Sequence, residues 1–227
     1  MLLLLHGALG SASQLQPLSS QLAERSHASL DLPGHGGLPI LAPFSMELFA
    51  EGVLHFLDQE DIPQADIFGY SMGGYVALWL AWKHPERVRS VVTLNTKLDW
   101  TPDVATRMSG MFDPEKIEAK VPAFAEALAQ AHAPTDWKQV ARYTAHFLHD
   151  LGNGLGLPHE AYAQITCPVT ILRGEFDHTV STEESQQTAA MIPNAVYKEI
   201  PGGKHAIEQV DTAAIVQTIE GGRSYEL

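Results

Sequence analysis

One cysteine, Cys167, is present in 227 residues, so the chain closes no disulfide within itself and its fold does not depend on an oxidising compartment. Cys167 precedes Pro168 at the mouth of an apolar run and reads as a small buried residue rather than a reactive thiol. Basic residues are scarce: 14 Lys and Arg stand against 27 Asp and Glu, for a formal charge of −13, with no basic cluster. A nucleic-acid partner would require a basic face, so that class is set aside. The negative charge reads mainly as solubility. No apolar run approaches the ~18 residues of a membrane-spanning helix. Met1–Leu5 is too short for a signal-peptide core and lacks a basic flank, so a cytoplasmic protein is expected. There is no G-x-G-x-x-G and no P-loop, and no histidine pair has metal-ligand spacing, so neither a cofactor nor a metal is expected.

What is there is an alternation. Short apolar runs occur at Leu2–Leu5, Ala28–Leu30, Asp66–Tyr70, Val88–Leu94, Val169–Leu172 and Ala195–Ile200. Between them lie stretches with helical spacing. Leu15, Leu18 and Leu22 recur on one face. Ser45 is placed to cap a helix carrying Phe49, Val53, Phe56 and Leu57. The stretch Met72–His84 is apolar almost all round, as a helix buried on most sides must be, and Pro85 limits it. Thr182 is placed to cap a helix opening with Glu183 and Glu184, and Asp211 one running through Ile219. Strand–helix alternation predicts an α/β fold: a mostly parallel six-stranded sheet with helices on both faces. Residues 96–164 break the rhythm. They predict helices over Pro114–His132 and Thr135–Leu151, then a glycine-rich hinge or loop from Leu151 to Gly156. The expected division is a core of 1–95 and 165–227 with a small helical cap, 96–164, within one domain.

The strongest local signal is Gly69-Tyr70-Ser71-Met72-Gly73-Gly74, which closes a strand and opens a helix. A G-x-S-x-G turn in that setting projects a serine above the sheet, with glycines where backbones approach closely. Elsewhere the same string would be an ordinary glycine-rich turn. Further loops follow strands at His6-Gly7-Ala8-Leu9-Gly10, Asp31-Leu32-Pro33-Gly34-His35-Gly36, Gly174-Glu175-Phe176-Asp177-His178 and Gly203-Lys204-His205.

Together these loops resemble those of the α/β-hydrolase fold superfamily along nearly the whole chain. The resemblance implies a catalytic triad in the order Ser71, Asp177, His205. Serine needs a base to take its proton, and imidazole suits that task near neutral pH. Asp177 would orient the imidazole, although Glu175 lies close enough to compete and His178 adjoins it. The resemblance places the oxyanion donors at Met72 and Ala8, with Leu9 as a substitute for Ala8. Leu9, Tyr70, Met108, Met111, Phe112 and Phe147 are expected to bind substrate, although each also serves as plain packing. His6 and His35 read as structural, and most of the 11 histidines as inert.

The implied activity is hydrolysis of a carboxylic ester or related acyl compound through an acyl-enzyme. The implied partner is a small, neutral, partly apolar acyl substrate. A lyase or C–C hydrolase resembling the menaquinone-pathway synthase is the alternative; basic residues of the cap such as Arg107, Lys116, Lys120, Lys138 and Arg142 are few for a polyanionic substrate. A ligand-binding protein that has lost catalysis is the other. Members that this sequence resembles carry two more strands before the His-Gly loop, whereas Met1 here stands inside that strand. Ala28–Leu30 is therefore expected at a sheet edge, covered by a loop or paired in a homodimer, and a monomer is the competing state.

Overall fold

The computed structural model describes residues 1–22 and 24–221. Short runs of large apolar residues can bury both faces only in a parallel sheet covered by helices, and the chain uses them so. In chain order the elements are β1 (Leu2–Leu5), α1 (Gln16–Gln21), β2 (His27–Leu30), α2 (Met46–Gln59), β3 (Ala65–Tyr70), α3 (Met72–Lys83) and β4 (Val88–Leu94). A helical segment follows, with α4 (Pro102–Ser109), α5 (Pro114–Lys120), α6 (Pro122–His132) and α7 (Trp137–Asp150). The chain then completes the sheet through β5 (Val169–Gly174), α8 (Thr182–Met191), β6 (Ala195–Ile200) and α9 (Thr212–Gly221).

The sheet order is β2-β1-β3-β4-β5-β6, and every pairing among the described residues is parallel, a stricter arrangement than "mostly parallel". All four residues of β1 are buried, as a central strand requires. β2 stands at the edge, half-buried along its length, and Ser19 of α1 hydrogen-bonds His27 at its start (2.8 Å). Chain direction across the sheet reverses between β1 and β3. At such a switch point the loops leaving the carboxyl ends diverge and leave a crevice.

α3 leaves β3 directly and lies against the sheet, with Met72 to Ala81 buried without interruption. Truncating Leu78 within it would cost about 2–5 kcal/mol. Ser45 caps α2 as its spacing predicts, accepting from Leu48 N–H (3.1 Å).

Four local expectations are corrected. The single helix 114–132 is two, because Pro122 lacks an N–H and drives Val121 out of helical geometry (φ −139°, ψ 62°). A further helix, α4, is capped by Thr101, which accepts from Val104 N–H. The run Leu151–Leu155 continues α7 as a wide turn before the backbone leaves helical geometry at Asn153 and Gly154 (φ 89°), so the glycine-rich break begins later than Leu151. Ser181, not Thr182, caps α8: it accepts from Glu184 N–H (3.1 Å) while Glu184 Oε2 accepts from Ser181 N–H (3.3 Å).

Candidate active site

Ser71 sits between β3 and α3 at φ 51°, ψ −115°, a backbone conformation that side chains other than glycine rarely adopt. Two glycines make the turn possible. A side chain on Gly69 would collide with the backbone of Gly73 and Gly74, and one on Gly73 with the carbonyls of Leu5 and His6. Thr96 Oγ1 donates to the Ser71 carbonyl (3.0 Å) and secures the turn from behind.

Ser71 Oγ lies 3.4 Å from His205 Nε2, long for a hydrogen bond to a hydroxyl but within the range of sites that tighten around substrate. On the far side of the ring, Nδ1 donates to Asp177 Oδ2 (2.8 Å). A carboxylate only accepts, so the neutral ring carries its proton on Nδ1 and turns the Nε2 lone pair toward Ser71. Asp177 is buried, which by itself raises the pKa of a carboxyl group. The hydrogen bond and charge of His205, with N–H donation from Thr179 (2.7 Å) and Val180 (3.0 Å), outweigh that and hold it below its ordinary value. Glu175 points elsewhere and accepts from Gly202 N–H (2.8 Å).

Side chains with no motif to mark them hold this side. Asn95, buried at the end of β4 with φ 51°, donates from Nδ2 to the carbonyls of Lys204 (2.7 Å) and His205 (2.9 Å). Its Oδ1 accepts from Gly174 N–H (2.8 Å), so one amide pins the His205 loop to the Asp177 loop. Arg173 donates to the carbonyls of Asp177 (2.7 Å) and Val180 (2.8 Å) from within the core. Asn95 closes its strand at positive φ, a conformation that asparagine adopts more readily than most residues.

On the other side, the loop after β1 carries Ala8 to the same opening. Met72 is the first residue of α3, where an N–H has no acceptor within its helix. Ala8, Tyr70, Ser71, Met72 and His205 line one cavity of about 430 Å³. Met108, Met111, Phe112 and Phe147 line it too, together with Trp100 and Phe124. Leu9 does not. Its backbone turns at φ 54°, which buries its side chain in the core away from the opening. The charged groups at the cavity are engaged: Lys97 Nζ pairs with Glu184 Oε2 (2.6 Å), and Glu208 accepts from Gln14 Nε2 (3.2 Å). Arg107, Lys116, Lys120, Lys138 and Arg142 do not line it.

No group of three or more His, Cys, Asp or Glu among the described residues is arranged to hold a metal ion. No described helix is long and apolar enough to cross a membrane.

A stretch of 64 residues is 48% identical to pimeloyl-(acyl-carrier protein) methyl ester esterase of Neisseria meningitidis serogroup B, covering 28% of this chain and only 23% of that protein. The esterase of the same name from Chromobacterium violaceum is 29% identical over 229 residues, covering 89% of this chain and 86% of that one. Among solved structures, E-2-(acetamidomethylene)succinate hydrolase superposes with a TM-score of 0.79 at 21% identity, covering 97% of this chain and 90% of that chain, a likeness of fold. The model of the alpha/beta hydrolase family matches residues 2–218, and the chain belongs to that family.

Proposed function

We propose that the protein is a serine hydrolase that cleaves a carboxylic ester through an acyl-enzyme, with Ser71 as nucleophile, His205 as base and Asp177 orienting His205. The observation that carries this reading is the chain of contacts from Asp177 through His205 to Ser71, opening on an apolar cavity. In the first half-reaction Ser71 Oγ bonds to the ester carbonyl carbon as its proton passes to His205 Nε2. Charge gathers on the former carbonyl oxygen, which the N–H groups of Met72 and Ala8 receive. His205 returns the proton to the departing alkoxide as the C–O bond breaks, leaving acyl-Ser71 and free alcohol. Water then attacks the acyl carbon, its proton passing to His205 and on to Ser71 Oγ, and the acid leaves.

The helical segment 96–164 acts as a cap whose Met108, Met111, Phe112 and Phe147 receive the acyl chain, with Tyr70 beside the base. That wall supports a neutral, partly apolar substrate, because an unpaired charge buried against it would cost heavily. The methyl ester esterases to which the chain is similar support the ester as the scissile bond. A lyase acting on a polyanion would need converging cations; of the basic residues in 96–164 only Lys97 lines the cavity, and its charge is paired with Glu184, while Arg107, Lys116, Lys120, Lys138 and Arg142 do not reach the wall. The protein works in the cytoplasm as a monomer or homodimer, states that light scattering separates.

Hydrolysis of p-nitrophenyl esters of increasing acyl length tests the reading, with Ser71→Ala beside the wild type. Turnover should fall by roughly 10⁴–10⁶ in the variant. A folded wild-type protein inert on every ester would end the esterase reading.

A further inference from the structure

His132 ends α6, far in sequence from every motif of the site, yet its side chain is fully buried and both ring nitrogens are bonded to core backbone. Gly36 N–H donates to Nδ1 (3.1 Å), and Nε2 donates to the carbonyl of Leu9 (3.1 Å). The two backbone partners can each play only one part, so the tautomer follows: neutral, with the proton on Nε2. Close packing holds the ring in place. A side chain on Gly37, itself at φ 88°, would collide with the Ala133 carbonyl, and Thr135 Oγ1 donates to Leu38 O (3.0 Å). The end of α6 is thereby seated on the loop after β2.

Leu9 stands at the other end of the His132 Nε2 bond. It holds φ 54° immediately after Ala8, a conformation that costs a leucine energy and persists only where surroundings fix it. The core supplies part of that restraint: His6 Nε2 accepts from Leu32 N–H (3.1 Å), and Asp31 Oδ1 accepts from Ala12 N–H (2.7 Å). The bond to the Leu9 carbonyl itself comes from the helical segment, through His132. Leu9 directly follows Ala8, which lines the cavity.

We infer that His132 is a positioning residue for catalysis: by holding the Leu9 carbonyl it fixes Leu9 at its positive φ and, through that residue, the backbone of the preceding Ala8 whose N–H faces the oxyanion, so the cap completes the oxyanion hole as well as walling the substrate pocket. This rests on the ester-hydrolase reading. It separates two roles that a purely structural histidine would not. Loss of the Leu9 bond should weaken stabilisation of the transition state, lowering kcat with little change in KM.

Three variants divide the two bonds. His132→Gln can place its amide nitrogen where Nε2 stood and keep the Leu9 bond. His132→Asn can place its amide oxygen where Nδ1 stood and keep only the Gly36 bond. His132→Ala keeps neither. Each is assayed on an aryl ester and on the corresponding thionoester, whose sulfur makes poor use of N–H donors. The ratio of the two kcat values does not depend on how much of a preparation is folded.

The expected result is a ratio lowered about tenfold or more in the Asn and Ala variants, a fraction of the 10²–10³ that removal of a whole donor costs, and within about threefold of wild type in the Gln variant. An unchanged ratio in the Asn variant overturns the inference, as does a Gln variant that falls as far as Ala. Imidazole nitrogen NMR of the wild-type protein should find His132 neutral with its proton on Nε2, and a proton on Nδ1 would overturn it without any variant. A wild-type protein inactive on all esters would instead remove the underlying reading, and this inference with it.

Discussion

The two loops that flank Ser71 are secured in opposite ways. On the His205 side the restraints arise within the sheet and its own loops: Asn95 binds three backbone groups, and Arg173 binds the carbonyls that shape the Asp177 loop. On the Ala8 side the restraints converge from the first strand's loop, the loop after β2 and the helical segment: the buried His6 and His132 make the hydrogen bonds, and the buried His35 packs against both rings. One side is a closed unit of the core. The other is assembled from parts distant in sequence and built around titratable rings. The base side therefore should fail through single side chains, and the Ala8 side through conditions that act on several at once.

The largest expected effect comes from breaking the base side chemically. Asp177→Asn turns the partner of Nδ1 into a group able to favour the wrong tautomer, and kcat should fall by roughly 10⁴. Glu175→Gln, on the same loop but bonded to Gly202, should stay within a few-fold of wild type in the same assay. Equal losses would reassign the acid.

Acid should break the Ala8 side before the base side. Burial, the dominant cause, drives the His6 imidazole from 6.5 down to about 4, and lowers His35 and His132 as well. The folded protein keeps these rings neutral where the unfolded chain takes up protons. Their contribution is intact above pH 6.5 and is lost as pH falls toward 4. His6 alone accounts for about 3 kcal/mol of that loss. Asp177 is held below its ordinary value, so its stabilisation is present above about pH 4 and is lost only under more acidic conditions. Urea unfolding at pH 7, 6 and 5 should show a steadily falling midpoint. A flat midpoint over that range would mean the histidines are not buried neutral in solution.

A smaller effect sharpens the contrast from the base side. Asn95→Ala removes three hydrogen bonds at once and loosens the loop that carries His205. A displacement of the order of 1 Å there is enough to lower kcat by about 10². Because this variant leaves the Leu9 bond intact, the ratio of oxoester to thionoester turnover should not change. A changed ratio would show the two sides to be coupled.

The division between what could be read from the residues and what could not follows the range of the interactions. The inner strands announce themselves as apolar runs, because a strand covered on both faces is apolar along most of its length, and Ser71 because its turn admits only glycine at Gly69 and Gly73. The break at Pro122 was legible in principle, since a proline cannot sit within a helix, but the apolar spacing on either side carried the reading past it. Leu9 was expected at the pocket because sequence order places it beside Ala8, and a single positive φ moves its side chain into the core. Asn95 and His132 could not be read at all. Each acts through backbone partners 79 or more residues away, and nothing in the local pattern marks a side chain whose partner lies across the fold.

The bond from α6 to the loop after β1 also bears on how such a protein can be rebuilt. Segments between β4 and β5 look like the natural unit of exchange, since the sheet runs on undisturbed either side of them. A graft that replaces residues 96–164 with foreign helices carries away the donor to Leu9 along with the pocket wall. New selectivity obtained by that route comes with an unsupported strained residue next to Ala8 at the cavity. A histidine or glutamine at the equivalent turn of the incoming helix is therefore the first residue to restore.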